Sequence, residues 1–162
     1  MKKITILTAS QGKNAELGQK IKEIAEKKFN CELIDLVELN LPLYSEAEEE
    51  KGVPKNAKDL SFSLSSSEGL IVIAPEYNGS FPPSLNNAIC WISRSGKDWR
   101  EAFNEKTTLI ATHSGGGGQH VLMAMRQQLS FLGANVLGRQ LLTNYNKELN
   151  IDSLHQCLAQ ME

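Results

Sequence analysis

Three short stretches concentrate the residues that could do chemistry. The first is "APEYNGSFPPSLNNAICW", Ala74 to Trp91, which places Glu76, Tyr77, Asn78 and Gly79 just after the apolar run Leu70–Ile73. Asn and Gly both tolerate positive φ. Gly79 carries no Cβ, so a flat ring could approach its N–H. Tyr77 offers an aromatic face and a hydroxyl, and Pro75 stiffens the exit from the apolar run. Pro82 and Pro83 suit a first helical turn, where amide protons lack intrahelical partners. The stretch reads either as a plain surface turn or as a ligand loop whose backbone approaches something closely. The second stretch, "TASQGKNAEL", holds Ser10, Gly12, Lys13 and Asn14 ahead of a helical pattern. It is either an ordinary turn with Asn14 as the helix cap, or an anion site built from small hydroxyls and free N–H groups. The third, "THSGGGGQH", sets Ser114, Gly115, Gly116 and Gly117 between a strand-like run and an amphipathic helix. A nest of backbone N–H groups and a flexible linker are its two readings. His113 and His120 are each a candidate base or a local hydrogen-bonding group.

The elements around these stretches put them on one edge. Strand-like runs at Lys3–Leu7, Cys31–Leu36, Leu70–Ala74, Thr107–Thr112 and Asn135–Leu142 alternate with helical patterns. Leu17, Ile21, Ile24 and Ala25 share one helical face, as do Leu85, Ala88, Ile89 and Ile92. Val121–Leu132 is helical and stops at Gly133, while Leu149–Met161 is a final helix. Asn40–Lys58 is polar and acidic and reads as a surface loop entering a short helix. Leu70–Ala74 is apolar without alternation, as expected of a strand covered on both faces. Right-handed crossovers then give a parallel sheet with helices on both sides. Five strands suit the flavodoxin-like α/β order 2-1-3-4-5, whose ligands lie outside the carboxyl ends of the strands at the switch in order. The loops after strands one, three and four are the three stretches above. One suits an anion, one a ring, and one is rich in N–H donors, which is the layout for a mononucleotide carrying a flat ring.

Composition narrows the classes further. The 162 residues suit one domain spanning 1–162, with 41% hydrophobic and 22% charged residues. A net charge of −2 gives no electrostatic case for nucleic acid or an anionic membrane as partner. No run approaches the length of a membrane span. Cys31, Cys90 and Cys157 form no CxxC pair, so neither a disulfide framework nor an iron–sulfur cluster is expected, and a cytoplasmic location is. The histidines stand at no metal-ligand spacing to any cysteine. The phosphate-binding fingerprint GxxxxGK[ST] fails at Leu7 and Asn14, and the dinucleotide fingerprint fails with one glycine. Trp91 lies off the apolar face of its helix and needs cover, from the loop around Trp99 or from the equivalent helix of a second subunit.

The segment "PEYNGSFPPSLNNAICWISR" resembles the PEYN-containing segment of the NADPH-dependent FMN reductase family, and "SGGGGQHVLMAMRQQLSFLGA" resembles that family's glycine-rich turn and following helix. The resemblance runs in order along nearly the whole chain. It implies a flavodoxin-like fold, bound FMN, NADPH or NADH as donor, and two-electron reduction of a small-molecule acceptor such as a flavin, quinone or azo compound. It also implies a homodimer or homotetramer. Pro75, Glu76, Tyr77, Asn78 and Gly79 would border the isoalloxazine, Ser114–Gly117 would face its pyrimidine edge, and Ser10, Gly12, Lys13 and Asn14 would hold the phosphate. Three departures stand out, one of them Pro83 in place of a common Gly. The phosphate loop is shorter than the family's and lacks its Arg, leaving Lys13 as the point charge. Asn86 and Cys90 stand where the family has Lys and Asp. Since the flavin carries the chemistry, no catalytic side chain is expected.

Overall fold

The structure is a computed structural model that describes residues 1–96 and 98–162. Strand β1 (Lys3–Thr8) leads through α1 (Lys13–Ala25) to β2 (Asn30–Asp35). Helices α2 (Glu46–Glu49) and α3 (Lys55–Ser65) return the chain to β3 (Gly69–Ile73). Helix α4 (Pro83–Ile92) connects to β4 (Thr107–His113), and α5 (Gln119–Phe131) connects to β5 (Asn135–Val136) and β6 (Leu141–Thr143). Helix α6 (Ile151–Ala159) completes the fold.

The sheet order is β2-β1-β3-β4-β5, with β6 also on β4, and every pairing is parallel. This is the expected doubly wound arrangement. Two cores sandwich the sheet. Leu60 and Leu64 of α3, Leu85 and Ile89 of α4, and Val121 and Met125 of α5 cover one face. Leu17 and Ile21 of α1 with Leu154 and Leu158 of α6 cover the other. The central strand β3 is buried throughout, which explains its unbroken apolar run. Because β1 and β3 are neighbours while their connections leave in opposite directions, a crevice opens at their carboxyl ends.

Three expectations need correction. The segment read as a loop with a short helix holds two helices, and α3 runs on to Ser65. Its core face is Ala57, Leu60 and Leu64, but three serines and an exposed Phe62 dilute the pattern. The fifth strand is split. Between its halves the Arg126 guanidinium takes the carbonyls of Val136 (3.3 Å) and Leu137 (2.7 Å), which draws them toward the side chain. Trp91 is fully buried within its own subunit. Its Nε1–H donates to the Pro42 carbonyl at 2.7 Å, and Tyr44 packs edge-on with ring centres 5.2 Å apart. Asn87 fastens the same strap by accepting from the Tyr44 N–H (2.8 Å) and donating to Pro42 O (3.0 Å). The cover is thus the segment before α2, neither the Trp99 loop nor a partner helix.

Candidate cofactor site

The loop between β1 and α1 presents its backbone outward. Gly12 caps α1 with φ 69°, and a Cβ there would meet nothing within 4 Å. The N–H groups from Ser10 through Ala15 find no protein acceptor among the described residues. Those from Gly12 to Ala15 are the orphan donors of a helix start, at the positive end of its dipole. Lys13 turns aside to pair with Glu16 at 2.8 Å, and that carboxylate raises its pKa. Asn14 is not the cap that its residue type predicts. It lies inside α1, 4% exposed, and grips the end of β4. Its Nδ2 donates to the His113 carbonyl (3.0 Å), and its Oδ1 accepts from the His113 N–H (2.8 Å). The side chain is fully engaged, so only the Asn14 backbone N–H is left without a partner among the described residues.

After β3, Pro75 is buried and the next residues fold into a two-residue hairpin turn. Tyr77 N–H donates to Ser80 O (2.8 Å) and Ser80 N–H to Tyr77 O (3.0 Å). Asn78 and Gly79 take φ of 51° and 75°. Positive φ at both central residues is the type I′ turn that Asn-Gly favours. The turn leaves Tyr77 50% exposed. A Cβ on Gly79 would come no nearer to other atoms than 4.0 Å, at His120 Cβ. Glu76 is turned away: its Oε2 accepts from the Val121 N–H at 3.2 Å and so caps the first turn of α5.

After β4, Ser114 is buried, and its N–H donates to Thr143 O (3.1 Å). Its Oγ accepts from the Gly116 N–H (3.2 Å). The N–H groups of Gly115 and Gly117 have no acceptor among the described residues. A Cβ on Gly117 would meet nothing within 4 Å. Gly118 closes the loop as the left-handed cap of α5 at φ 70°.

Between the first two loops lies a cavity of about 380 Å³, lined by Ser10, Val37, Tyr77, Pro82 and Ser84 among others. Ser84 holds its wall, since Oγ donates to the Ala9 carbonyl at 2.6 Å. Val37 and Ser84 carry no sequence signal of their own, and Pro82 signals only the helix start. A second cavity, about 500 Å³, lies across the edge between α1 and the turn after β6. Lys13 and His113 line it.

Free amides at a helix start, glycines with open space where a side chain would be, and an exposed aromatic ring fit a phosphate joined to a flat ring. The family model for NADPH-dependent FMN reductase matches residues 2–148. The chain belongs to that family. Its cofactor and donor are accordingly FMN and NAD(P)H. The quinone reductase of Escherichia coli (strain K12) is 35% identical over 103 residues, 62% of this chain. The match spans about half of that protein's length (53%). The NADPH azoreductase of Bacillus sp. (strain OY1-2) is 27% identical over 154 residues, covering 94% of this chain and 78% of the relative. Among solved structures, FerB, a flavoenzyme NAD(P)H:(acceptor) oxidoreductase from Paracoccus denitrificans, superposes with TM-score 0.77 at 18% identity. That match covers 99% of this chain and 93% of the other, and at this identity it speaks for the fold. Among the described residues no helix is long and apolar enough to cross a membrane, and no group of His, Cys, Asp and Glu could hold a metal ion.

Proposed function

We propose that the loops after β1, β3 and β4 of this chain bind FMN, and that the protein passes reducing equivalents from NADPH or NADH to a quinone or azo-type acceptor. The observation that carries the reading is the convergence of unengaged backbone N–H groups, from Ser10 to Ala15 and at Gly115 and Gly117, on the crevice edge beside exposed Tyr77. The quinone reductase and azoreductase relatives support the acceptor class.

FMN supplies hydride acceptance and electron transfer when bound. The chain's own groups bind and orient. The N–H groups of Ser10, Gly12 and Asn14 would hold the phosphate, with Ser10 Oγ beside them, while Lys13 is already paired with Glu16. The Asn78–Gly79 turn would let backbone approach the ring, and Tyr77 would shield it from water. Pro75 fixes where that turn leaves the sheet. Glu76 acts indirectly, because its hold on Val121 N–H fixes α5 and so the glycine loop. Ser114 shapes that loop through Gly116. The N–H groups of Gly115 and Gly117, which have no acceptor among the described residues, would offer preorganised donors to the ring's polar edge.

Two finer points belong to the same proposal. The protein works in the cytoplasm, in keeping with its three free cysteines. It assembles as a homodimer or homotetramer through α5, whose Met123 and Phe131 leave large apolar surfaces uncovered. The test is anaerobic mixing of the FMN-loaded protein with NADPH or NADH, followed by a benzoquinone. Bleaching of the flavin band by the nicotinamide and its return with quinone support the reading. Failure of both nicotinamides to bleach bound FMN overturns it.

A further inference from the structure

The second cavity is distinct from the loops assigned to FMN, yet it touches two of them. It opens at the carboxyl edge between α1 and the turn joining β6 to α6. Its volume of about 500 Å³ is that of an ordinary small-molecule site. Three features of its lining specify a ligand.

The first is an aromatic platform. Tyr145 is 77% exposed on a turn made rigid by the Asn144–Lys147 backbone pair (2.9 and 3.2 Å) and by Asn144 Oδ1, which accepts from the Asn146 N–H at 2.8 Å. A Cβ on Gly115 would stand 3.4 Å from Tyr145 Cε2, so this ring adjoins the glycine loop.

The second is an orphan acceptor. Thr143 Oγ1–H donates to the Thr112 carbonyl (3.2 Å). That hydroxyl has one proton, so while it is spent on the Thr112 carbonyl the 3.1 Å contact with His113 has Nδ1 as donor. In that tautomer the lone pair lies on Nε2, which is buried without a partner among the described residues. Tyr145 stands edge-on over this imidazole, with ring centres 5.3 Å apart. Access of a donor to Nε2 therefore requires the exposed phenol to turn aside.

The third is a set of unpaired charges of both signs. Among the described residues Glu16 is paired with Lys13, and Glu23 accepts from Gln19 Nε2 at 3.1 Å. Among the described residues Lys20 and Lys147 form no ion pair, and neither do the carboxylates of Glu23 and Glu148, so the lining is neutral overall but offers two free ammonium groups to a phosphate and two free carboxylates to hydroxyl protons.

A flat base with an amino donor, a ribose and a phosphate meets all three. We infer that this cavity binds the adenosine-phosphate half of the nicotinamide donor, with the base on Tyr145, its amino group at His113 Nε2 and its phosphate between Lys20 and Lys147. This rests on the proposed donor role, and it places the dinucleotide across Gly115 from the flavin.

The test uses the FMN-loaded protein with adenosine 2′,5′-bisphosphate and adenosine 5′-diphosphate as probes, inorganic phosphate as control, and calorimetry as readout. Both nucleotides should bind at submillimolar concentration, and phosphate alone much more weakly. Lys147→Glu and Tyr145→Ala should each weaken them tenfold or more, and Lys147→Glu should leave FMN fluorescence quenching unchanged. Absence of nucleotide binding at millimolar concentration overturns the inference. So does binding indifferent to both substitutions, or matched by phosphate alone. If FMN binds and the nucleotides do not, this inference falls alone. If FMN does not bind, the cofactor assignment falls, while nucleotide binding that Lys147→Glu abolishes still supports the site.

Discussion

Asn14→Asp isolates one side-chain role with almost no change of shape. The buried amide makes two bonds to the His113 backbone, one as donor and one as acceptor. A carboxylate keeps the acceptor but sets a second oxygen against the His113 carbonyl, now 3.0 Å from Nδ2. Leaving that carbonyl without a donor costs about 1–3 kcal/mol. Holding the charge in a site only 4% exposed raises the Asp pKa, and each unit costs about 1.4 kcal/mol at neutral pH. The start of α1 offsets about 0.3–1 kcal/mol of this through its dipole. The net is about 3 kcal/mol, or about 6–12 °C in melting temperature for a domain of this size. The sign with pH follows. The folded-state pKa lies above the unfolded value of about 3.9, so the deficit is full at pH 7 and shrinks as pH falls through the folded pKa. There the protonated acid donates to the carbonyl again. Calorimetry of variant and parent at pH 7 and pH 5 measures the difference at each pH. A variant that melts with its parent at both, or a deficit that grows on acidification, refutes the reasoning.

Other outcomes follow from single contacts. Gly79→Val adds a side chain at φ 75°, where the nearest atom to a Cβ is 4.0 Å away. Backbone strain of about 1–2 kcal/mol lowers the melting temperature by about 2–8 °C, while FMN affinity measured on the same sample falls at least about tenfold. Equal FMN affinity in the folded fraction would mark the turn as structural only. Trp91→Phe removes the donor to the Pro42 carbonyl and loosens the strap on α4, at about 1–3 kcal/mol in a urea titration. Unchanged stability there would contradict the cover described for Trp91. Burial pushes the Cys31 thiol up to about 11, so its alkylation by iodoacetamide at pH 8 should run at least about tenfold slower than that of an unhindered peptide cysteine. Peptide mapping after timed alkylation reads this directly, and comparable rates would refute it.

Much of this was legible from local chemistry. Asn78-Gly79 specifies its turn, Gly133 ends α5 with φ 93°, and the apolar run after Gly69 declares a strand buried on both faces. The strand order then places all three ligand loops on one edge. What stayed hidden depends on long-range partners. Asn14 has the type of a cap, yet it bonds to a strand 99 residues away. Glu76 follows the ring loop but serves α5, because only the fold brings Val121 to it. The break between β5 and β6 needs Arg126 from the preceding helix. Trp91 lacked a visible cover because Pro42 and Tyr44 lie in a polar segment with no periodicity. The Tyr145 turn was readable by the same rule that selected the other loops, since it follows the strand beside β4 at the same edge.

The central claim is that backbone N–H groups on three loops hold FMN. Titrating apo protein into FMN and following flavin fluorescence tests it most directly. The account predicts saturable quenching with a dissociation constant in the micromolar range or tighter, about −8 kcal/mol or more favourable. Fluorescence that stays unquenched at high micromolar protein, with no shift in melting temperature on adding FMN, would contradict it.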